Sequence, residues 1–194
     1  AFAVYGAIGD KWKALGGAGG FLGEAKTDES PAQFGGRFNH FAHGSIYWHP
    51  KTGAYSVTGA IGGRFAQLGW EVYGYPITDE SATPDGIGRY NHFRAVQLKG
   101  PPESSIYWTA QTGAQEIYGD IRKKWAAMGW ERSSLGYPTT AERTEYQGSD
   151  IRRQDFQKGS LWWSPKTGVS LTPLGVASSQ PPTQHPPTTP PSIP

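Results

Sequence analysis

The stretch Gly44-Ser45-Ile46-Tyr47-Trp48-His49-Pro50-Lys51-Thr52-Gly53-Ala54 returns twice. Its second copy is Ser104-Ser105-Ile106-Tyr107-Trp108-Thr109-Ala110-Gln111-Thr112-Gly113-Ala114, and its third is Gly159-Ser160-Leu161-Trp162-Trp163-Ser164-Pro165-Lys166-Thr167-Gly168-Val169. A motif recurring three times makes the chain a tandem array, and that constrains the fold before any other reading. Each copy reads as a strand, a tight turn and the start of a second strand. The Ile-Tyr-Trp run suits a pleated, half-buried surface. A polar turn ending in Gly supplies the positive φ that a tight reversal needs.

The motif lies inside a longer unit. Ile8, Trp12 and Leu15 fall at i, i+4 and i+7, as do Ile61, Phe65, Leu68 and Ile121, Trp125, Met128, so each set predicts one apolar face of a short helix. Gly16, Gly69 and Gly129 follow these faces, where a left-handed residue ends a helix. Next come Leu22-Gly23-Glu24-Ala25, Tyr73-Gly74-Tyr75-Pro76 and Leu135-Gly136-Tyr137-Pro138, each leading to a Thr-acidic stretch around Glu29, Glu80 or Glu142. Arg37-Phe38-Asn39-His40-Phe41 and Arg89-Tyr90-Asn91-His92-Phe93 precede the hairpins, with Arg153-Gln154-Asp155-Phe156 as a degenerate third copy. Unit two carries extra residues from Arg94 to about Glu103, which predicts a surface loop. The expected fold is therefore an α+β repeat array over residues 1–172, in three units of about 1–54, 55–114 and 115–172, each a short helix plus a β-hairpin. One unit alone is too small to be stable, so apolar faces must bury against neighbouring units. Ala1-Phe2-Ala3-Val4-Tyr5-Gly6 matches Ala54-Tyr55-Ser56-Val57-Thr58-Gly59. That match predicts an N-terminal strand pairing near the last hairpin and closing the array into a pseudo-symmetric ring. Residues 173–194 turn Pro- and Thr-rich and read as an extended tail or linker.

Composition narrows the chemistry. With 8 Trp, 10 Tyr and 8 Phe, aromatic rings must supply much of the core. The formal charge is +2 with Lys and Arg scattered among Asp and Glu, which argues against nucleic acid as a partner. There is no Cys, so disulfides and thiolate chemistry are excluded, and no apolar run is long enough to span a membrane as a helix. No Gly-x-Ser-x-Gly, His-Glu-x-x-His or phosphate-loop motif occurs. His40, His43 and His49 crowd together in unit one only, and no metal or other cofactor is expected. Glu29, Glu80 and Glu142 recur in equivalent places, which suits ion pairing better than the single asymmetric carboxylate pair of a glycosidase.

Helix, Leu-Gly-Tyr-Pro turn, Thr-acidic stretch, Asn-His-Phe and Gly-Ser-Ile-Tyr-Trp-x-Pro-x-Thr-Gly-Ala together resemble the LGFP repeat, from Ala1 to about Thr172. Leu22-Gly23-Glu24-Ala25 departs from the name motif by lacking the Pro, and Tyr73-Gly74 replaces Leu-Gly in unit two. The resemblance implies an extracellular protein of the cell wall or envelope. It also implies non-catalytic binding of wall polysaccharide of the arabinogalactan type, and a linked or associated envelope enzyme as a further partner. A structural protein that binds protein partners through aromatic faces, and an envelope hydrolase, are the alternatives.

Alternation along the first hairpin strand puts Ile46 and Trp48 on one face and Tyr47 on the other. If the Ile/Trp face is core, then Tyr47, Tyr107 and Trp162 are free to stack on sugar rings. Their competing role is to fill contacts between units. Arg37, Asn39, His40, Arg89, Asn91, His92, Arg153 and Asp155 offer donors and acceptors for vicinal hydroxyls. Their competing role is a structural network in which Arg pairs with an acidic residue and Asn or His fixes a turn.

Overall fold

The computed structural model describes residues 1–175, so most of the expected tail lies outside the described residues. Three helices are present among them, α1 (Gly6–Ala14), α2 (Gly59–Gln67) and α3 (Gly119–Met128). The first antiparallel sheet runs β1 (Ser30–Pro31), β2 (Arg37–Phe41), β3 (Gly44–His49), β4 (Gly53–Thr58) in that spatial order. The second holds β5 (Tyr75–Pro76), β6 (Ser81–Ala82), β7 (Arg89–Arg94), β8 (Glu103–Thr109) and β9 (Gly113–Tyr118), with β5 and β6 both against β7. The third runs β10 (Arg143–Thr144), β11 (Arg152–Phe156), β12 (Gly159–Ser164), β13 (Gly168–Ser170). The three repeated stretches thus form the same hairpin three times. The helices end as expected, with Gly16, Gly69 and Gly129 left-handed at φ 98, 90 and 109°.

Helices and sheets alternate. Ile8 of α1 buries with Leu22, Phe41 and Ile46 on one face of the first sheet. Ile61 and Phe65 of α2 bury between Tyr47 and Val57 on the other face of that sheet and Phe93 and Ile106 of the second. Ile121 and Trp125 of α3 bury between Tyr107 and Ile117 and the Phe156 and Leu161 of the third sheet. The first two sheets are therefore covered on both faces, and alternation along β3 or β8 does not separate core from solvent. This corrects one expectation. Tyr47 and Tyr107 are 2% and 3% exposed, packed edge-on against Phe65 and Trp125 of the following helix. Trp162 is 7% exposed with the Arg153 guanidinium 5.0 Å from its ring. None of the three offers a free aromatic face. It is Trp48, Trp108 and Trp163, near the turn ends of their strands, that remain half-buried.

One side chain per unit ties each unit to the chain before it. Asn91 Nδ2 donates to the Ser56 carbonyl at 3.1 Å and to the Thr78 carbonyl at 2.9 Å. Gln154 Nε2 does the same to Glu116 and Thr140, and Asn39 Nδ2 to Ala3 and Thr27. Ala3, Ser56 and Glu116 are equivalent residues, so the first segment of the chain has the place in unit one that a preceding hairpin has in units two and three. The expected pairing of this segment with the last hairpin is accordingly not found. Ala3 also donates to Asp28 Oδ1 and accepts from the Glu29 N–H, within unit one. The three sheets stay separate, and no sheet closes on itself among the described residues.

Aromatic insertion completes each junction. Tyr75 reaches back to the Gln33 carbonyl, and a Cβ at Gly36 would overlap its phenol. Tyr137 repeats this over Gly88, bonding Asp85 Oδ1 at 2.6 Å and Thr83 Oγ1 at 2.8 Å. Replacing Asn91 by Ala removes two buried donors, which we expect to lower stability by about 2 kcal/mol and the thermal midpoint by roughly 5 °C. Thermal unfolding followed by circular dichroism measures this. An unchanged midpoint would mean that the amide does not hold the units together.

Candidate functional site

A small cleft lies where the hairpin meets the start of a helix in units one and three, and the side chains that define it recur in unit two. Trp48 lies opposite Arg37 in the strand register, Trp108 opposite Arg89, and Trp163 opposite Arg152. Each Arg is held by the Glu of its Thr-acidic stretch, Arg37 by Glu29, Arg89 by Glu80, and Arg152 Nε by Glu142 at 3.0 Å. In unit one the cleft has a volume of about 230 Å³ and is lined by Tyr5, Ile8, Glu29, Arg37 and Trp48. In unit three it is about 220 Å³, lined by Tyr118, Asp120, Ile121, Glu142 and Trp163, with Trp163 Nε1 donating to Asp120 at 3.1 Å. Unit two has Thr58 in the Tyr place, donating to Glu80 Oε2 at 2.5 Å. Each unit thus sets an indole beside a guanidinium that still carries N–H groups and a carboxylate that still carries lone pairs. That combination packs an apolar C–H face and hydrogen-bonds adjacent hydroxyls.

A second aromatic feature lies between units. Trp70 and Trp130 follow the helix-ending glycines and are themselves left-handed, at φ 57 and 56°. A bulky residue there costs roughly 1–2 kcal/mol of backbone strain. The rings recover this by packing, Trp70 stacked on Tyr47 at 6.2 Å and Trp130 on Tyr107 at 6.1 Å. His40 lies 5.3 Å from Trp70 and bonds Ser45 Oγ at 2.7 Å, and His92 lies 5.4 Å from Trp130 and bonds Ser105 Oγ at 2.7 Å. Burial lowers the pKa of His40, and burial together with the Arg122 charge lowers that of His92 to about 4.

The sequence-expected polar residues therefore divide. Arg37 lines the unit-one cleft, and Arg89 holds the same place in unit two, opposite Trp108 and paired with Glu80. Asn39 and Asn91 are fully buried in the inter-unit clamps, where a ligand reaches them only by displacing protein, and His40 and His92 are half-buried against Trp70 and Trp130. The third copy was set one residue out. Phe156 pairs as Phe41 does, so Arg152 is the counterpart of Arg37, and Arg153 stands where Phe38 and Tyr90 stand. Arg153 and Asp155 pair with one another at 2.6 Å, Asp155 also binding Ser160 and Arg143, on the face that no helix covers among the described residues. Counting back from Phe156 would have found Arg152. Trp48, Trp108 and Trp163 were missed because they were read as core. The unit-one histidines do not converge. His49 is buried, its ring taken by the Phe34 carbonyl and the Lys51 N–H.

One carboxylate pair has its titrations pushed apart. Burial raises Glu131, whereas hydrogen bonds from Tyr137, the Ile87 N–H and Thr83 outweigh the burial of Asp85 and lower it. Both belong to the Tyr137 junction, and Glu71 holds the place of Glu131 in the preceding junction, accepting from the Gln33 N–H at 2.8 Å. The pair is thus a junction element.

A family model described as LGFP repeat matches the chain three times, over residues 22–72, 74–133 and 135–173. No curated protein matches the chain.

The His92 shift sets a pH dependence. Its folded pKa lies below the ordinary value near 6.5, so the unfolded chain binds more protons between the two. Stability should be full above pH 6.5 and fall as the pH drops to about 4, by up to roughly 3 kcal/mol from this group. Urea denaturation at stepped pH measures it. His92→Gln should flatten the slope in that window, and an unchanged slope would contradict the assignment.

Proposed function

The chain belongs to the LGFP repeat family, whose members are cell-wall-associated repeats, and on that premise we propose that it is a non-catalytic module binding neutral wall polysaccharide outside the cell. The observation that carries this is the threefold set of indole, guanidinium and carboxylate. Trp48 with Arg37 and Glu29, Trp108 with Arg89 and Glu80, and Trp163 with Arg152 and Glu142 repeat one arrangement on one body. A polymer of repeating sugars meets such an array at several weak sites at once. Linked weak sites gain by effective concentration, so the whole binds more tightly than any cleft alone. An arabinogalactan-type wall polymer is the expected ligand. A wall enzyme attached to or associated with the chain would be held at its substrate by that contact.

The clefts also favour binding over turnover. Each carboxylate is already neutralised by its arginine, and the same pair occurs in every unit. Hydrolysis needs two carboxylates in different environments flanking one bond.

Affinity chromatography of the whole chain on purified wall polysaccharide tests this. Trp48→Ala should weaken retention about tenfold, and Trp48→Ala with Trp163→Ala by more than the sum of the single losses, because avidity is lost with each site. Retention equal to wild type in the double variant, or steady release of reducing sugar by the wild type, would overturn the reading.

A further inference from the structure

Two helices meet the preceding unit at equivalent places, and only one of the two meeting places is filled. Between units two and three, Arg122 of α3 lies 5.1 Å from the Trp130 ring, donates Nε–H to Ser105 Oγ at 2.8 Å and approaches Glu103 at 3.5 Å. Between units one and two the counterparts of those partners are Trp70, Ser45 and His43. The counterpart of Arg122 is Gly62. Trp70, Ser45, His43 and Gly62 line an open groove of about 500 Å³. That volume falls in the roughly 300–1,000 Å³ range of small-molecule sites.

Nothing in the backbone requires glycine there. Gly62 is not left-handed, and a Cβ on it would meet the Val57 carbonyl oxygen at 3.5 Å, an ordinary contact. A Cβ on Gly63 would meet nothing within 4 Å. Glycine inside a helix is less favourable than any residue but proline, and α2 carries two in succession. What the two glycines leave is the groove, with the Trp70 ring at its edge, 36% exposed.

Arg122 shows what the groove geometry accepts. It is a flat group lying against the indole, with a donor aimed at a serine hydroxyl. Ser105 Oγ accepts from Arg122 and shares a 2.7 Å hydrogen bond with His92 Nδ1. Ser45 makes the same 2.7 Å bond to His40, and among the described residues no donor takes the place of Arg122. A cation is the wrong occupant, since His43 replaces the carboxylate of Glu103. No Asp, Glu, Lys or Arg lines the groove, so an anion gains nothing either. An uncharged ring with an apolar C–H face and an outward hydroxyl satisfies both Trp70 and Ser45.

We infer that the groove between units one and two binds one ring of a neutral saccharide, stacked on Trp70 and donating a hydroxyl to Ser45, and that Arg122 closes the equivalent groove between units two and three. This rests on the reading of the chain as a polysaccharide binder. It adds to three like Trp–Arg–Glu sets one unlike site, which fixes where along a bound polymer the array lies.

The test is titration of the whole chain with neutral galactose and arabinose trisaccharides, and in parallel with a galacturonate trisaccharide, following the indole N–H resonances by NMR. The Trp70 resonance should shift saturably with a neutral sugar and not with the uronate. Gly62→Arg should remove that shift, weakening binding at Trp70 by at least about tenfold, while the Trp48 and Trp163 responses persist. It should leave the thermal midpoint within a few degrees of wild type, since a Cβ there makes only an ordinary contact and the gain of replacing a helical glycine offsets the missing carboxylate. Arg122→Gly should add a saturable response at Trp130. An undiminished Trp70 shift in Gly62→Arg, or an equal response to the uronate, overturns the inference. Responses at Trp48 and Trp163 with none at Trp70 overturn it and leave the wider function standing. No indole response at all overturns both.

Discussion

Each of the first two sheets is buried on both faces, and the second face is covered by the helix of the next unit. Tyr47 packs on Phe65, and Tyr107 on Trp125, across that boundary. No unit therefore owns a complete core. Burial is shared between neighbours, as in other repeat architectures, and the cost of ordering so many short elements is met only by the array as a whole. The polar clamps follow the same rule. Asn91 and Gln154 each bond one carbonyl of the loop before their own strand and one on the last strand of the preceding hairpin. The bidentate pairing of Arg64 with Glu116, at 2.6 and 2.7 Å, adds a charge-assisted link from α2 to the second sheet.

This shared burial decides which aromatic rings are free for other work. A ring at the centre of β3 or β8 is trapped between two layers whichever way it points. A ring near the turn end lies where helix cover runs out. Hence Trp48, Trp108 and Trp163 stay half-buried beside an Arg–Glu pair. This arrangement is a by-product of the stacking geometry, and one geometry repeated gives one Trp–Arg–Glu set in each unit. The inter-unit grooves differ from the clefts in this respect. They are formed by the junction, so a single exchange of Gly for Arg in the helix opens one and fills the other.

Much of the fold was legible. The i, i+4, i+7 triplets found all three helices, and the Ile-Tyr-Trp copies found all three hairpins, because local periodicity and turn chemistry act within one unit. The ion pairing of Arg37 and Arg89 was legible as one of two readings. What failed was what depends on neighbours. Alternation on β3 reads identically whether one face is covered or both, so Tyr47 could be taken for a surface ring. The match of Ala1–Gly6 to Ala54–Gly59 was sound as an equivalence, but it signalled the clamp to Asn39 and not closure on the last hairpin. The degenerate third motif misled because Arg152 and Arg153 adjoin, and only strand register distinguishes them.

The central claim is that the stack presents one saccharide-binding indole, beside an Arg–Glu pair, per unit. Saturation-transfer NMR of the whole chain with a purified neutral wall polysaccharide tests it most directly. The account predicts transfer at the indoles of Trp48, Trp108 and Trp163 together, with the Tyr47 and Tyr107 rings silent. Transfer confined to a single unit, or strongest at Tyr47 and Tyr107, would contradict it.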